Sequence, residues 1–504
     1  MKTRSASRVT TGTHLQDLEA QIRKVIDEWK VPGLALLVLK DGEVVLSRGF
    51  GKRNVAENLD VTPRTLFPIG SCTKAFTAAA IGMLVEEGKL EWEKPIRHYL
   101  PSFKLHDQFA TERMTPRDLL CHRSGLPRHE IMWYKSLFTR KEMIERLAHL
   151  EPNADFRTRY QYNNLMYATA GYLIECVTGQ TWEQFLAERI FKPLGMVSSN
   201  TAVEDSEQTD DYALPYAEEE EEVKEVPFYD RFQALGPAGS ISANLEDIVH
   251  WLRFQLNAGK HGETQLLAAE HLTQTQTPQM LVPASPVLNF AEFSTSSYGM
   301  GWAIGAFRGH RMLQHSGGID GFSAEVALLP DDQAAVAVFT NLGGTVAPFV
   351  AAFYACDYLL GAEATDWNVR WKEGFAKAKA LGEEQLAALS KVERVPDAPP
   401  SHPLEAYTGE YTHPGYGSVT IALNDGQLHV TYNDVTAPLT HIHYDLFEML
   451  IKLAEYKAKV SFTTGENGAI ESVAANLEPT VKAIVFTRVA SKEAPAENTP
   501  TEKE

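Results

Sequence analysis

Gly70-Ser71-Cys72-Thr73-Lys74 sets a hydroxyl and an amine three residues apart, directly before the Ala-rich apolar run Ala75 to Glu87, which closes at Gly88. Apolar residues recur through that run at helical spacing, so Ser71 is expected to open a helix with Lys74 one turn along on the same face. A serine with a lysine behind it is a nucleophile with its own proton acceptor, provided the amine is kept neutral. Burial disfavours an ammonium, and the positive end of the helix dipole acts in the same direction. The plain alternative is a serine that merely caps a helix. Two further patches weigh against that alternative. Tyr162, two positions before Asn164 at the edge of the helical pattern Leu165 to Thr178, offers a phenolate or a phenol, and Asn164 offers an amide to orient Lys74 or a substrate. His315-Ser316-Gly317-Gly318 follows an apolar-leading strand, and its glycines let a carbonyl approach the backbone closely. The N–H groups of Ser71 and Gly318 would then form an oxyanion hole. Three such patches in one chain are the parts of acyl transfer through a covalent intermediate. His122, beside a predicted helix end at Gly125, reads as a structural residue bonded to local carbonyls.

These patches need elements to hold them. Leu15, Leu18, Ile22, Ile26 and Trp29 make an amphipathic first helix that Pro32 ends. Leu34 to Leu39, Asp41-Gly42 and Glu43 to Ser47 read as a hairpin with a type I′ turn. Thr115-Pro116 with Asp118 three residues on is a helix start. Gly236-Pro237-Ala238-Gly239 marks a tight turn, after which Ser242 or Asn244 caps a helix. The period then changes to two. Strands are expected to begin at Tyr298-Gly299-Met300-Gly301-Trp302 and to span Met312 to Ser316, Ser323 to Leu329 and Ala334 to Phe339, as an antiparallel meander. Pro348 to Leu360 is helical and should pack back on that sheet. Trp367 to Leu389 reads as a charged helix pair or linker, and Val395 to Pro403 as a Pro-rich joint. Beyond it, Ser418 to Leu423, Gln427 to Tyr432, Lys459 to Thr463 and Ala483 to Arg488 alternate around the turn Asn424-Asp425-Gly426, which predicts a small barrel-like β domain.

With 504 residues the chain is long enough for more than one domain, and a net charge of -19 argues against nucleic acid or an anionic membrane as the partner. Cys72, Cys121, Cys176 and Cys356 show neither zinc nor disulfide spacing. The acidic stretch Glu218 to Glu222 reads as a solvated loop, not a metal site. No metal or organic cofactor is required by this chemistry. The start of the chain, Met1 to Gly12, is basic and polar and lacks the apolar core of a signal peptide, so the expected location is cytoplasmic. No run approaches the length of a membrane span.

The patches Ser71-x-x-Lys74, Tyr162-x-Asn164 and His315-x-Gly317 resemble those of the serine hydrolases of the class C β-lactamase and penicillin-binding-protein family. So do the phrases Thr115-Pro116-Arg117-Asp118-Leu119-Leu120, Pro193-Leu194-Gly195-Met196 and Gly236-Pro237-Ala238-Gly239. The resemblance implies a fold of the α/β (α+β) class: an antiparallel sheet flanked by helices, an all-helical subdomain, and an active site in the cleft between them. It implies Ser71, Lys74 and Tyr162 as catalytic residues, Asn164, His315, Ser316 and Gly317 as substrate-orienting ones, and Ser71 and Gly318 at the oxyanion. Leu404-Glu405-Ala406-Tyr407-Thr408-Gly409-Glu410-Tyr411 and the strands after it are similar to the lipocalin-like domains appended to some members. The expected division is a hydrolase domain over 13–362, a linker over 363–403, a lipocalin-like domain over 404–489 and a disordered tail over 490–504. Family β-lactamases carry lysine where this chain has His315, and a mostly neutral imidazole is a poor grip for a substrate carboxylate. A carboxylesterase or broad acyl hydrolase is therefore expected ahead of a D-amino-acid-directed peptidase or amidase, with a β-lactamase or acyltransferase behind both. The expected partners are a small ester or short peptide substrate and, through the C-terminal β domain, further copies of the chain. The alternative of another class is a catalytically silent binding protein that keeps the fold. A Ser-His-Asp hydrolase is disfavoured because no G-x-S-x-G elbow occurs.

Overall fold

The computed structural model describes residues 13–229, 232–284, 290–363, 365–390, 393–451 and 456–490. The basic start of the chain and the tail from Ser491 onward lie outside the described residues. The chain divides into two compact units: 13–128 with Leu137–Gly382, and His129–Ser136 with 383–490.

Among the described residues, the first unit is built on an antiparallel sheet of nine strands that combines the two ends of its own sequence. The amino-terminal hairpin, β1 (Gly33–Lys40) and β2 (Glu43–Asn54), turns at Asp41 and Gly42, both with positive φ, as a type I′ turn requires. The meander β3 (His310–Ile319), β4 (Phe322–Leu329) and β5 (Ala334–Thr340) follows much later. β1 lies between β2 and β5, with Leu36 opposite Val338 and Val38 opposite Val336. The continuous apolar text of β1 has its reason here, because both faces of the strand are covered. Leu34, Leu36 and Val38 join Val336, Val338 and two helices, α1 (Thr13–Glu28) and Ala347–Leu360, in one apolar core. The amphipathic stripe of α1 supplies Leu18, Ile22 and Val25 to it.

The strand expected to begin at Tyr298 differs. Phe293–Tyr298 is a strand that ends there, and Ala303–Phe307 is the next. The residues between leave the ladder because Gly301, at φ +82, lies so close to the backbone of Ala75 that a Cβ would stand 2.7 Å from its Cα. Trp367–Ser390 is a single helix of 24 residues, not a helix pair. Gly236–Gly239 forms one helical turn, and Asn244, not Ser242, caps the helix after it by accepting from Asp247 N–H at 2.9 Å. The acidic stretch is a surface hairpin, Tyr216–Glu219 with Glu222–Glu225. Among the described residues, no helix is long and apolar enough to cross a membrane.

Among the described residues of the second unit, nine antiparallel strands run from Gly409–His413 to Ile484–Arg488, and the first pairs with both the second and the last. The sheet's two edges are Val435–Pro438 and Thr440–His443, separated in sequence by Leu439 alone. A sheet whose edges meet at one residue is a nearly closed barrel. Its turn at Asp425-Gly426 has the two positive φ values of type I′, as the Asn-Asp-Gly text requires.

Candidate active site

Ser71 lies in a short 3-10 turn, Gly70–Cys72, that runs into α2 (Thr73–Glu86). α2 is buried along its first twelve residues, Thr73 to Leu84, which explains its lack of a polar face. Lys74 has no exposed surface. Its Nζ is 2.9 Å from Ser71 Oγ and donates to the Ala238 carbonyl at 2.7 Å. One turn further, Thr77 Oγ1 donates to the Pro237 carbonyl at 2.7 Å and accepts from Trp182 Nε1 at 3.1 Å. The Gly236–Gly239 turn is thus the anchor of the lysine. The tight turn is legible in its Gly-Pro-Ala-Gly text, but the role of the Ala238 carbonyl is not, because a carbonyl carries no sequence signature.

Tyr162 stands just ahead of α3 (Asn164–Thr178). Asn163 is the cap of that helix: its Oδ1 accepts from Met166 N–H at 3.1 Å, and its Nδ2 donates to the Pro127 carbonyl at 2.6 Å. His122 Nδ1 accepts from Asn163 N–H at 3.1 Å, so its partner is a distant amide and not the local carbonyl expected of it. These bonds hold Tyr162 over the lysine, with Lys74 Nζ 4.8 Å from the ring centroid. Burial pushes the Tyr162 phenol upward, and a hydrogen bond with Ser71 acts against that push. The side chain is therefore a phenol at rest, not a phenolate. Asn164 is the first residue of α3, and its buried Oδ1 accepts no hydrogen bond among the described residues.

β3 forms the opposite wall. Cys72 Sγ donates to the His315 carbonyl at 3.1 Å, and a Cβ on Gly70 would lie 2.7 Å from Gly318 N. The backbone at Gly70, next to Ser71, therefore passes close to the N–H of Gly318. Gly317 is required for this approach, since a Cβ there would stand 1.9 Å from the Ile69 carbonyl oxygen. Gly317→Ala must push β3 away from the Ser71 turn, and kcat/KM is expected to fall about 100-fold, the usual effect of ångström-scale misplacement. Unchanged kinetics would mean that Gly318 N–H takes no part. Ser316 lies beside His315 on β3, opposite Glu325 of β4.

His315 is buried, and both ring nitrogens are engaged. Nδ1 donates to the Ser316 carbonyl at 2.7 Å, so Nε2 accepts from Tyr298 Oη, at 2.9 Å. Burial and then the nearby Lys74 drive its pKa down to about 3. Tyr298 is a site residue that the sequence reading missed; its only local signal is an aromatic beside two glycines. The unfolded chain titrates this histidine near pH 6.5, so it takes up a proton that the native state refuses, and stability falls as pH drops below about 6.5. From pH 7 to pH 5 this group alone should cost about 2 kcal/mol, ~1.5 pH units at ~1.4 kcal/mol each. Denaturant melts at the two pH values should find that loss in the wild type and not in His315→Gln. Equal losses would mean that His315 protonates within the fold.

Comparison with known proteins gives the family. The sequence profile of the β-lactamase family matches residues 18–357. The chain belongs to the β-lactamase family of serine hydrolases. A second profile, of a domain of unknown function, matches residues 393–488. The unguisins hydrolase ungD of Aspergillus violaceofuscus is 30% identical over 529 residues, covering 95% of this chain and 91% of its own. The homologous ungD' of Aspergillus campestris is 29% identical over 500 residues, covering 92% and 90%. Among solved structures, the octameric penicillin-binding protein homologue from Pyrococcus abyssi superposes with a TM-score of 0.61 at 25% identity, covering 94% of this chain and 100% of the other.

Proposed function

We propose that this β-lactamase-family protein hydrolyses carboxylic esters through an acyl-enzyme on Ser71. The observation that carries the reading is His315. A neutral imidazole with both nitrogens committed provides neither the cation nor the free donor that would grip a substrate carboxylate.

In this reading Ser71 Oγ attacks the carbonyl carbon while its proton passes to the Lys74–Tyr162 pair. The pair is coupled, so the proton belongs to both until measured. The oxyanion rests on the N–H groups of Ser71 and Gly318. Asn164, with its open Oδ1, orients the substrate or the lysine, and His315 with Ser316 and Gly317 shapes the wall that the substrate lies along. Tyr162, a phenol at rest, returns a proton to the leaving alcohol. The same pair then activates the water that releases the acid. No step calls for a metal or an organic cofactor.

The same carbonyl chemistry serves an amide, and the unguisins hydrolases make a second substrate class worth measuring. A panel of p-nitrophenyl butyrate, a D-amino-acid amide and nitrocefin separates the classes. The ester is expected to turn over at least ten times faster than the other two. A fast nitrocefin burst followed by turnover would overturn the ranking. Absence of labelling by a fluorophosphonate probe would favour a silent binding protein instead.

A further inference from the structure

The barrel of the second unit is filled unevenly. One part of its interior is closed by aromatic side chains: Tyr407 meets Phe462 and Phe447 at centroid distances of 4.9 and 5.7 Å. Met449, Leu450 and Leu477 also line the remainder, whose buried walls are short branched residues, Val419, Ile421, Val430 and Val473, with Phe486. Each residue of these walls is buried and inward-facing on its strand. Short side chains in a barrel of this width leave room that long ones would fill. The room is a cavity of about 430 Å³.

Two comparisons give that volume meaning. Protein interiors pack like organic crystals, with few voids larger than a water molecule. An apolar cavity of ~150 Å³ is already large enough to stay dry and bind benzene. This one is nearly three times larger. Part of its wall comes from Ile131 and Tyr134, in the segment that groups with the barrel and begins directly after Arg128. The polar members are few. Tyr432 directs its hydroxyl to the Tyr416 carbonyl at 2.7 Å, and Tyr134, Lys135 and Thr436 are the other polar residues of the lining. Apart from Lys135, the lining supplies no partner for a buried charge, which would be costly to desolvate along the Val and Ile walls.

The geometry points to a binding site for one uncharged molecule with an aliphatic chain, lying along the Val and Ile walls with its polar end left at the cavity's mouth. The site is separate from Ser71 in composition and chemistry, and it gives the barrel a binding function of its own.

The test uses the full chain and the neutral fluorescent probe N-phenyl-1-naphthylamine. Its emission should rise to saturation at one probe per chain and be reversed by 1-dodecanol. Val473→Trp and Ile421→Trp, which fill the cavity, should each weaken the probe tenfold or more while the rate of ester hydrolysis stays that of the wild type. Val430→Ala enlarges the cavity without overpacking and should shift the preference toward longer alcohols, so the inference stays testable if a tryptophan variant fails to fold. Ser71→Ala should bind the probe as the wild type does. Binding that survives both folded tryptophan variants, or is lost in Ser71→Ala or on phosphonate labelling, would place the probe elsewhere and overturn the inference. So would dodecanoate binding where dodecanol does not. Loss of probe binding with intact esterase, or the reverse, tells the failure of this inference from the failure of the proposed activity.

Discussion

Ser71→Ala is expected to lower kcat/KM for a p-nitrophenyl ester by about 10⁴-fold or more and to abolish fluorophosphonate labelling. Removing a serine nucleophile from a working constellation costs up to ~10⁶ in kcat elsewhere, with the remainder supplied by the oxyanion site and binding. The change should leave the fold intact. Ser71 is half-buried in a 3-10 turn whose shape depends on Gly70 and Gly317, and Lys74 Nζ keeps its bond to the Ala238 carbonyl. Mass spectrometry of the labelled protein and an unchanged thermal melt check the two halves of the prediction. Labelling that persists in Ser71→Ala would move the nucleophile to another residue and end the proposed mechanism.

The second large effect concerns how the proton is shared. Lys74→Met and Tyr162→Phe are each expected to reduce single-turnover acylation by about 10³-fold, within the usual 10²–10⁴ range for a positioned acid or base. Their combination should cost little more than either alone. Nζ lies 2.9 Å from Oγ and 4.8 Å from the Tyr162 ring, and Tyr162 is itself hydrogen-bonded to Ser71, so either change breaks the same three-membered arrangement. Residues that act as a unit are strongly non-additive. Methionine suits the fully buried position of Lys74, because it keeps most of the volume without a charge. Rates that multiply in the double variant would show two independent roles and would remove the coupled pair. Measuring acylation by burst kinetics keeps a defect in deacylation from being read as one in attack.

Local features of the chain were readable because their physics is local. The i, i+3 spacing puts Ser71 and Lys74 on one face of α2 whatever surrounds them. The capping box at Thr115 and Asp118 forms as its text demands, as do the type I′ turns at Asp41-Gly42 and Asp425-Gly426. Where the reading slipped, a distant contact had intervened. The strand expected at Tyr298 to Trp302 is interrupted because Gly301 must pass the backbone of Ala75. The helical pattern expected from Leu165 begins one residue earlier, at Asn164, because Asn163 takes the cap of α3 through the Met166 N–H.

By itself, then, the sequence determined the chemistry on offer: a serine and a lysine one turn apart, a tyrosine at a helix edge, and a histidine followed by glycines. It also determined the family and the all-β character of the carboxy-terminal strands, since side-chain type and short-range period carry that information. Tertiary structure decided which atoms meet. It selected Ala238 to hold Lys74 and Tyr298 to occupy His315, inserted β1 between β2 and β5, and left a cavity in the barrel. Each of these depends on backbone carbonyls, on contacts between separate strands, or on summed side-chain volume. None of these has a signature in the order of neighbouring residues.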